Sequence, residues 1–249
     1  MADNTTQAMN TPTIEKQREF WAGHWQQWKE RKVINNWSAL RAERILAWLH
    51  SLGLNNPRIL DLGCGIGWFS ELLTSFGQVS GVDLSEDAIS QARARCPQVR
   101  FFVANILAEK LPDGDFDVAV SQEVIAHVED QARYLQKAAE LLRPGGYLIV
   151  TTANKFVFER ARNDFYEYPP EHIEVPLDMA GLKRILKPHF RILRSGTINP
   201  VGNKGVLRLI NSPKLNAALR LFLDRHTVTA LKERAGFGYD LIVLAQKKA

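Results

Sequence analysis

The sequence predicts an α/β fold in which a largely parallel sheet is covered by helices on both faces. Between residues 58 and 152, short apolar segments of strand length alternate with segments of helix length. Such alternation is typical of parallel sheets, because each parallel strand needs a crossover segment to bring the chain back. Glycines directly after the first strand, and an acid at the end of the second, indicate a ligand site at the carboxyl ends of the strands.

The predicted elements follow in order along the chain. Two helices, over residues 13–33 and 36–51, carry apolar and aromatic residues at helical spacing and precede the sheet. Two strands are expected late in the chain, at 189–198 and 239–247. The alternating region lies between the two first helices and the two late strands. It contains strand 58–62, helix 67–75, strand 78–83, helix 85–94, strand 99–104, strand 115–121, helix 131–142 and strand 146–152.

The chain length and these elements predict one large domain with an added cap. We expect residues 1–12 to form a disordered tail and residues 13–54 a helical cap, followed by the main domain over residues 55–249. Two insertions, at 155–188 and 199–236, interrupt the regular alternation. The aromatic residues of the cap are consistent with simple packing against the core or with a lid over a binding site.

The composition favours a protein of a reducing compartment without a membrane-spanning segment. Two cysteines, Cys64 and Cys96, cannot form a disulfide framework, and Cys64 lies within the glycine run, so we expect a reducing, cytoplasmic setting. The sequence contains no apolar stretch of the 18 or more residues that cross a bilayer. Its first residues are polar and lack the pattern of a signal peptide.

The net charge of +5 is unevenly distributed. Residues 183–235 carry 12 lysines and arginines against two acids, whereas residues 1–182 carry more acids than bases. This asymmetry favours an anionic partner, such as nucleic acid, a phospholipid headgroup or a phosphorylated substrate. A solvated helical face rich in lysine and arginine is the simpler interpretation, and both stay open.

The glycine run and the following acid predict a nucleoside pocket. Gly63, Gly65 and Gly67 have no Cβ, so the backbone can approach a ligand closely. Asp83 closes the next strand, where a carboxylate can accept hydrogen bonds from ribose hydroxyls.

The residues around the glycines favour S-adenosylmethionine over a dinucleotide. A dinucleotide site needs the spacing G-x-G-x-x-G, and in the frame that begins at Gly65 the last glycine is replaced by Ser70. Asp61, directly before the turn, would repel a pyrophosphate but would attract an ammonium group. S-adenosylmethionine carries an α-ammonium and a sulfonium but no phosphate.

The motif Asp-Leu-Gly-Cys-Gly-x-Gly at 61–67 resembles that of the class I S-adenosylmethionine-dependent methyltransferases. The resemblance covers roughly residues 55 to 155, and its closest form is the small-molecule group around the ubiquinone-biosynthesis O-methyltransferases. Four further motifs occur in family order: Gly81-Val82-Asp83-Leu84-Ser85, the segment 111–120, Glu123-Val124-Ile125-Ala126-His127-Val128, and the segment 142–150.

The resemblance implies a Rossmann-like, doubly wound sheet of seven strands in the order 3-2-1-4-5-7-6, with the last strand antiparallel. It also implies S-adenosyl-L-methionine as cofactor. The three glycines would form the wall against the methionine part, Asp61 would reach the ammonium, and Asp83 would bind the ribose. The remaining predicted cofactor residues are Leu84 on the adenine, Asn105 and Ile106 at the adenine amino group, and Gln122 near the transferable methyl.

Two histidines are the predicted catalytic residues. A general base assists methyl transfer when the acceptor is a hydroxyl. His127, after the fourth strand, is the first candidate, and His172, in the first insertion, is the second. Quinone O-methyltransferases that bind a divalent ion carry Glu-x-x-Glu-His here, but Ala126 replaces the second glutamate, so we expect no metal.

The sequence therefore predicts an enzyme that methylates a small molecule, with a hydroxyl acceptor favoured over nitrogen or carbon. The basic 199–236 insertion suits a lipid-linked or anionic substrate met at a membrane surface. One alternative is an RNA methyltransferase that holds phosphates with residues 183–235, although no RNA-binding module is recognisable. Another is a methyltransferase-like domain that binds cofactor without turnover. Apolar residues within 206–223 could equally form a homo-oligomer face, a membrane face or core.

Overall fold

The computed structural model of the protein describes residues 12–31, 36–111, 113–161 and 172–248. The predicted tail therefore lies outside the described residues except for Pro12, as does the aromatic middle of the first insertion, 162–171.

The sheet has seven strands, and its order is β3-β2-β1-β4-β5-β7-β6. All neighbouring pairs from β3 to β5 are parallel, whereas β7 runs antiparallel to both β5 and β6. The predicted fold class and strand order are confirmed. The strands are β1 (Arg58–Leu62), β2 (Gln78–Asp83), β3 (Arg100–Val103), β4 (Phe116–Gln122), β5 (Leu142–Ala153), β6 (Phe190–Pro200) and β7 (Gly238–Lys247).

Helices cover both faces of this sheet and form the cap and the insertions. They are α1 (Ile14–Arg31), α2 (Asn36–His50), α3 (Trp68–Leu73), α4 (Glu86–Arg95), α5 (Gln131–Leu141), α6 (Lys155–Ala161), α7 (Met179–Leu186), α8 (Gly205–Ile210), α9 (Pro213–Leu219) and α10 (Arg225–Arg234). None of the helices in the described part of the chain is long and apolar enough to cross a membrane.

The two larger apolar cores among the described residues lie on opposite faces of the sheet. Ile59 in β1 packs in one core with residues of α2, α3 and α4, and its neighbour Leu60 packs in the other with residues of α5 and α7. Successive strand residues point to opposite faces, so a strand that is apolar at consecutive positions must be covered on both sides. Coverage by helices on both faces therefore explains why the central strands are apolar at consecutive positions.

The helix starts follow from capping side chains. Ser85 precedes α4 and its hydroxyl accepts from the Ala88 N–H at 3.2 Å, as expected from the two acids that follow it. Asp130 and Asp178 cap α5 and α7 in the same way.

One predicted boundary is wrong. Residues 143–146 were expected to turn the chain from a helix into a strand that begins at 146, but β5 begins at Leu142. Leu142 pairs with Phe116, and a register shift before Val118 absorbs the extra residues, with Gly145 at φ +72°. A β-bulge accommodates additional residues without ending the strand.

A buried ion pair joins the cap to the far side of the sheet. Arg41 of α2 donates to Asp240 Oδ1 of β7 at 2.9 Å, and the other Asp240 oxygen accepts from Asn199 of β6 at 2.6 Å. The Asp240 side chain is fully buried. Since a buried charge is tolerated only when it is paired and hydrogen-bonded, these contacts fix α2 on the sheet.

Candidate functional site

A single large cavity lies at the carboxyl ends of β1, β2 and β4, beneath the cap. Its volume is about 1220 Å³, and its walls include the turn after β1, the end of β2 and the segment after β4. Helix α1 contributes Gln17, Trp21, His24 and Trp25 to the opposite wall. The cap therefore forms part of the cavity wall, and several of its aromatic residues line it.

The glycine turn is held close to the neighbouring elements. The backbone N–H groups of Gly63 and Cys64 donate to the Val82 carbonyl at 2.8 and 3.0 Å, which ties the turn to β2. Gly63 has φ +73°, and a Cβ there would lie 2.2 Å from Val124. Gly65 has φ +51°, and a Cβ there would lie 2.4 Å from the Trp25 ring. Only glycine fits at either position without displacing a neighbour.

Gly67 lies where two helices meet, and its role in the wall of the cofactor site stays a prediction. With φ +73° it precedes α3, and a Cβ there would lie 2.9 Å from that of Ala92 in α4. The absence of a side chain lets α3 and α4 approach each other, so the structure places Gly67 at a helix contact.

Asp83 lies at the centre of the predicted cofactor end. Its carboxylate oxygens accept from the Gly65 N–H and the Ser85 N–H, each at 2.9 Å. Burial raises the pKa of this carboxyl, and the backbone N–H groups oppose the rise. Leu84, the residue predicted to contact adenine, also lines the cavity.

Asn105 and Ile106 line the cavity beside Asp83, as predicted. The Asn105 side-chain oxygen already accepts from the Leu107 N–H at 3.0 Å, and its backbone N–H donates to Glu109 at 2.8 Å. An adenine amino group would therefore have to share this oxygen through its second lone pair.

Asp61 is buried, with 2% of its surface exposed, and it accepts a hydrogen bond from the Ser70 hydroxyl at 2.6 Å. Burial raises its pKa to about 7, the negative charge of Asp83 adds to the rise, and the Ser70 hydroxyl opposes it. In the sequence, Ser70 is notable only as the residue that replaces a glycine. The structure gives it a direct role in orienting the Asp61 carboxylate.

The other end of the cavity has a polar floor formed by Gln122, Glu123 and Arg41. Gln122 ends β4, and its side-chain oxygen accepts from Arg41 Nε at 3.1 Å. Arg41 also lies 3.8 Å from Glu123 Oε1. Among the described residues, neither Gln122 Nε2 nor Glu123 Oε1 has a hydrogen-bond partner, although both are buried. Both residues line the cavity, but these two atoms are shielded from it.

Glu123 has a strained backbone conformation and a carboxyl pKa above its usual value. It has φ +57°, a left-handed conformation that is costly for a residue with a side chain and is frequent at functional sites. Burial raises its pKa, and Arg41 only partly offsets that effect. In the sequence, Glu123 is recognisable only as part of an incomplete metal-binding motif. No sequence pattern shows that Arg41, 82 positions earlier, lies beside it.

The structure brings the two predicted catalytic histidines together. His172 Nε2 and His127 Nδ1 are 2.9 Å apart, and the Glu174 carboxylate lies 3.6 Å from His127 and 3.8 Å from His172. Burial lowers the pKa of His127 to about 4 and that of His172 to about 3, with the neighbouring histidine adding to the second shift. Both rings are therefore neutral at physiological pH and are weak bases.

Comparison with known proteins assigns the central part of the chain. The family described as "Methyltransferase domain" matches residues 60–150. A Mycobacterium tuberculosis protein named "Probable S-adenosylmethionine-dependent methyltransferase" is 39% identical over 106 residues, which cover 42% of this chain and 39% of that protein. A ubiquinone biosynthesis O-methyltransferase from Aromatoleum aromaticum is 34% identical over 158 residues, which cover 59% of this chain and 65% of the relative. The chain thus spans about two fifths of the first relative and under two thirds of the second.

Solved structures share the fold over most of the chain. A magnesium protoporphyrin IX methyltransferase from Synechocystis aligns with a TM-score of 0.62 at 18% identity, covering 95% of this chain and 99% of the other. An N-methyltransferase from Bradyrhizobium japonicum, crystallised with S-adenosyl-L-homocysteine, aligns with a TM-score of 0.60 at 17% identity, covering 88% and 91%.

The motifs, the strand order and the matched family therefore agree. Residues 60–150 of this chain are similar to the methyltransferase domain family, and the sheet has the fold of the solved methyltransferases.

Proposed function

We propose that the protein transfers the methyl group of S-adenosylmethionine to a hydroxyl group of a small molecule. One observation carries the proposal: a single covered cavity joins the glycine turn and Asp83 to the polar floor at Gln122 and Glu123. Its volume of about 1220 Å³ exceeds the range of about 300–1,000 Å³ that is usual for one drug-sized ligand. A cofactor and an acceptor can therefore lie side by side in it.

The cofactor would occupy the end of the cavity that is formed by the glycine turn and the end of β2. Asp83 is positioned for the ribose hydroxyls, and Asp61 is close enough to the glycine turn for its charge to attract the α-ammonium group. The sulfonium is itself a good leaving group, so the protein has mainly to align the acceptor with the methyl and to exclude water. Such positioning can lower a barrier by about 7–11 kcal/mol.

Glu123 is our proposed proton acceptor for the hydroxyl. A base works best when its pKa lies near the working pH, and burial moves the pKa of Glu123 upward in that direction. His127 and His172, the bases predicted from the sequence, have pKa values shifted the opposite way. The Glu123 side chain is 24% exposed and lines the cavity, so it would take the proton directly from the acceptor hydroxyl.

The first prediction tests the cofactor end. Asp83→Asn should weaken binding of S-adenosylhomocysteine at least tenfold, because hydrogen bonds to a charged group contribute about 1.5–3 kcal/mol. Asp87→Asn, which changes an exposed acid in the first turn of α4, should leave the affinity unchanged. Isothermal titration calorimetry measures both, with NADH as a ligand that should not bind. Failure of the unmodified protein to bind S-adenosylhomocysteine would refute the proposed function.

The second prediction concerns pH. Asp61 has a pKa of about 7 in the protein, so it is largely neutral at pH 6 and ionised at pH 8. Because only the ionised form attracts the ammonium group, the affinity for S-adenosylhomocysteine should rise about tenfold over this interval. In Asp61→Asn the pH dependence should disappear. An unchanged slope in that variant would assign it to another group, with Asp83 the nearest candidate.

The third prediction separates the candidate bases. Glu123→Gln should lower kcat by about 10²–10⁴-fold, the usual contribution of a general base, with little change in S-adenosylhomocysteine affinity. Methyl transfer to a panel of phenols and hydroxylated isoprenoid lipids provides the assay. Full activity in Glu123→Gln together with loss in His127→Gln would favour the base predicted from the sequence.

We also propose that the second insertion contacts an anionic membrane surface, where a lipid-linked acceptor would be met. Leu209, Leu221 and Phe222 are 69%, 79% and 86% exposed. Arg208 and Arg220 directly precede two of them in sequence. Apolar side chains flanked by cations are typical of helices that lie at the headgroup boundary.

The fourth prediction tests this surface. Replacing both Leu221 and Phe222 with serine should reduce binding to phosphatidylcholine vesicles that contain phosphatidylglycerol by several-fold in a flotation assay. Leu72→Ser, which changes a half-exposed leucine on α3, is the matched control and should bind as the unmodified protein does. Retention of vesicle binding by the double variant would contradict the proposal.

Two alternative functions have distinct outcomes in the same experiments. An RNA methyltransferase would bind RNA through the basic 183–235 segment with a steep dependence on salt. A domain without turnover would bind S-adenosylhomocysteine and methylate nothing in the acceptor panel.

A further inference from the structure

Three side chains that commonly bind metal ions meet beside the acceptor end of the cavity. His127 lies in the short turn after β4, whereas His172 and Glu174 lie in the segment that leads to α7. Their side chains are 11%, 2% and 13% exposed, and one nitrogen or oxygen atom of each lies within 4.8 Å of the other two.

The distances among these atoms have the size that a bound cation requires. His127 Nδ1, His172 Nε2 and Glu174 Oε2 are separated by 2.9, 3.6 and 3.8 Å. A triangle with these sides has a circumradius of about 2.0 Å, so one point in its plane lies at that distance from all three atoms. Zinc–imidazole bonds are about 2.0–2.1 Å long and zinc–carboxylate bonds about 2.0–2.2 Å. A cation at this point would need little movement of the side chains.

Contacts from the cap hold the rings in these positions. Phe20 of α1 stacks on the His172 ring, with centroids 4.1 Å apart and planes inclined by 23°. Trp21 places its edge against both histidines, at 5.0 Å from His127 and 5.3 Å from His172. The backbone carbonyl of Ile173 lies 3.0 Å from His127 Nδ1 and accepts a hydrogen bond when that nitrogen is protonated, so metal binding would require the tautomer with the proton on Nε2. Ordered ligand side chains reduce the entropy that metal binding would otherwise cost.

We propose that His127, His172 and Glu174 bind one divalent transition-metal ion. Two imidazoles and one carboxylate favour zinc or a similar first-row ion over magnesium or calcium, which prefer oxygen ligands. Three protein ligands leave a fourth position of a tetrahedral ion open. Since His127 and Glu174 also line the cavity, water or an oxygen of the acceptor would complete the coordination.

This site differs from the one that the sequence excluded. The expectation of no metal rested on Ala126 in the place of a glutamate, and the structure places Glu123, the other glutamate of that pattern, beside Arg41. Two of the three ligands proposed here come from residues 172–174, which lie 45 and 47 positions beyond His127 and have no counterpart in that pattern.

The test measures metal binding directly and needs no activity. Protein treated with EDTA and dialysed should bind one equivalent of zinc per chain in equilibrium dialysis followed by elemental analysis. His172→Ala and Glu174→Gln should each lower the affinity at least tenfold. His50→Ala, which removes an exposed histidine at the end of α2, is the matched control and should bind zinc normally. Circular dichroism verifies that each variant is folded.

Zinc binding well below one equivalent, or equal binding by His172→Ala and His50→Ala, would overturn the proposal. If His172→Ala does not fold, Glu174→Gln and the cobalt(II) absorption spectrum of the unmodified protein decide, because nitrogen and oxygen ligation changes that spectrum. Titration of S-adenosylhomocysteine into the metal-free protein separates the two proposals. Retained nucleoside binding without zinc binding refutes the metal site alone, and the reverse result refutes the proposed function alone.

Discussion

The arrangement of the acceptor end of the cavity depends on the buried guanidinium of Arg41. It contacts Asp240 of β7, Gln122 at the end of β4 and Ser38 of its own helix. Burial disfavours its charge, but the adjacent carboxylates more than compensate, so the pKa of Arg41 lies above its usual value. Removal of one partner from a buried pair typically costs about 3–5 kcal/mol, because the other charge is left uncompensated. The same contacts that hold the cap on the sheet therefore also set the charge at the floor of the cavity.

The cofactor end of the cavity is formed mainly by backbone, and the acceptor end is formed by side chains. This difference explains which site residues could be predicted from the sequence. The cofactor end consists mainly of backbone at strand ends: a turn with three glycines follows β1, and the acids lie near the end of β1 and at the end of β2. Short-range spacing encodes that geometry, so Asp61 and Asp83 could be proposed as site residues from the sequence, whereas the strand order followed from the family resemblance. The acceptor end consists of side chains that are distant in sequence, such as Arg41 beside Glu123 and His172 beside His127. No local pattern encodes those contacts.

Some contacts near the glycine turn and the start of β5 could not be predicted, for similar physical reasons. Gly67 belongs to the same run as Gly63, but a short helix begins directly after it and turns it towards Ala92. Ser70 follows Asp61 by nine positions, and only the return of the chain in α3 brings its hydroxyl to the carboxylate. The start of β5 was misplaced because Pro144 and two glycines are typical of a turn, whereas here a bulge contains them within the strand.

The two cap helices are held to the domain by interactions of different kinds. Helix α2 is fixed by the buried pair between Arg41 and Asp240, and its residues Ala42, Ile45 and Leu49 belong to the core. The described side chains of α1, residues 14–26, include none that is fully buried, and its contacts include ring contacts and an exposed pair between Arg18 and Glu109 at 4.0 Å. Segments with few buried apolar contacts have low local stability. Since Trp25 of α1 lies directly on Gly65, the less firmly held helix is the one that covers the cofactor end. A binding site must both admit its ligand and exclude water, so a helix without fully buried side chains above the glycine turn favours the lid over simple packing, and that interpretation stays a prediction.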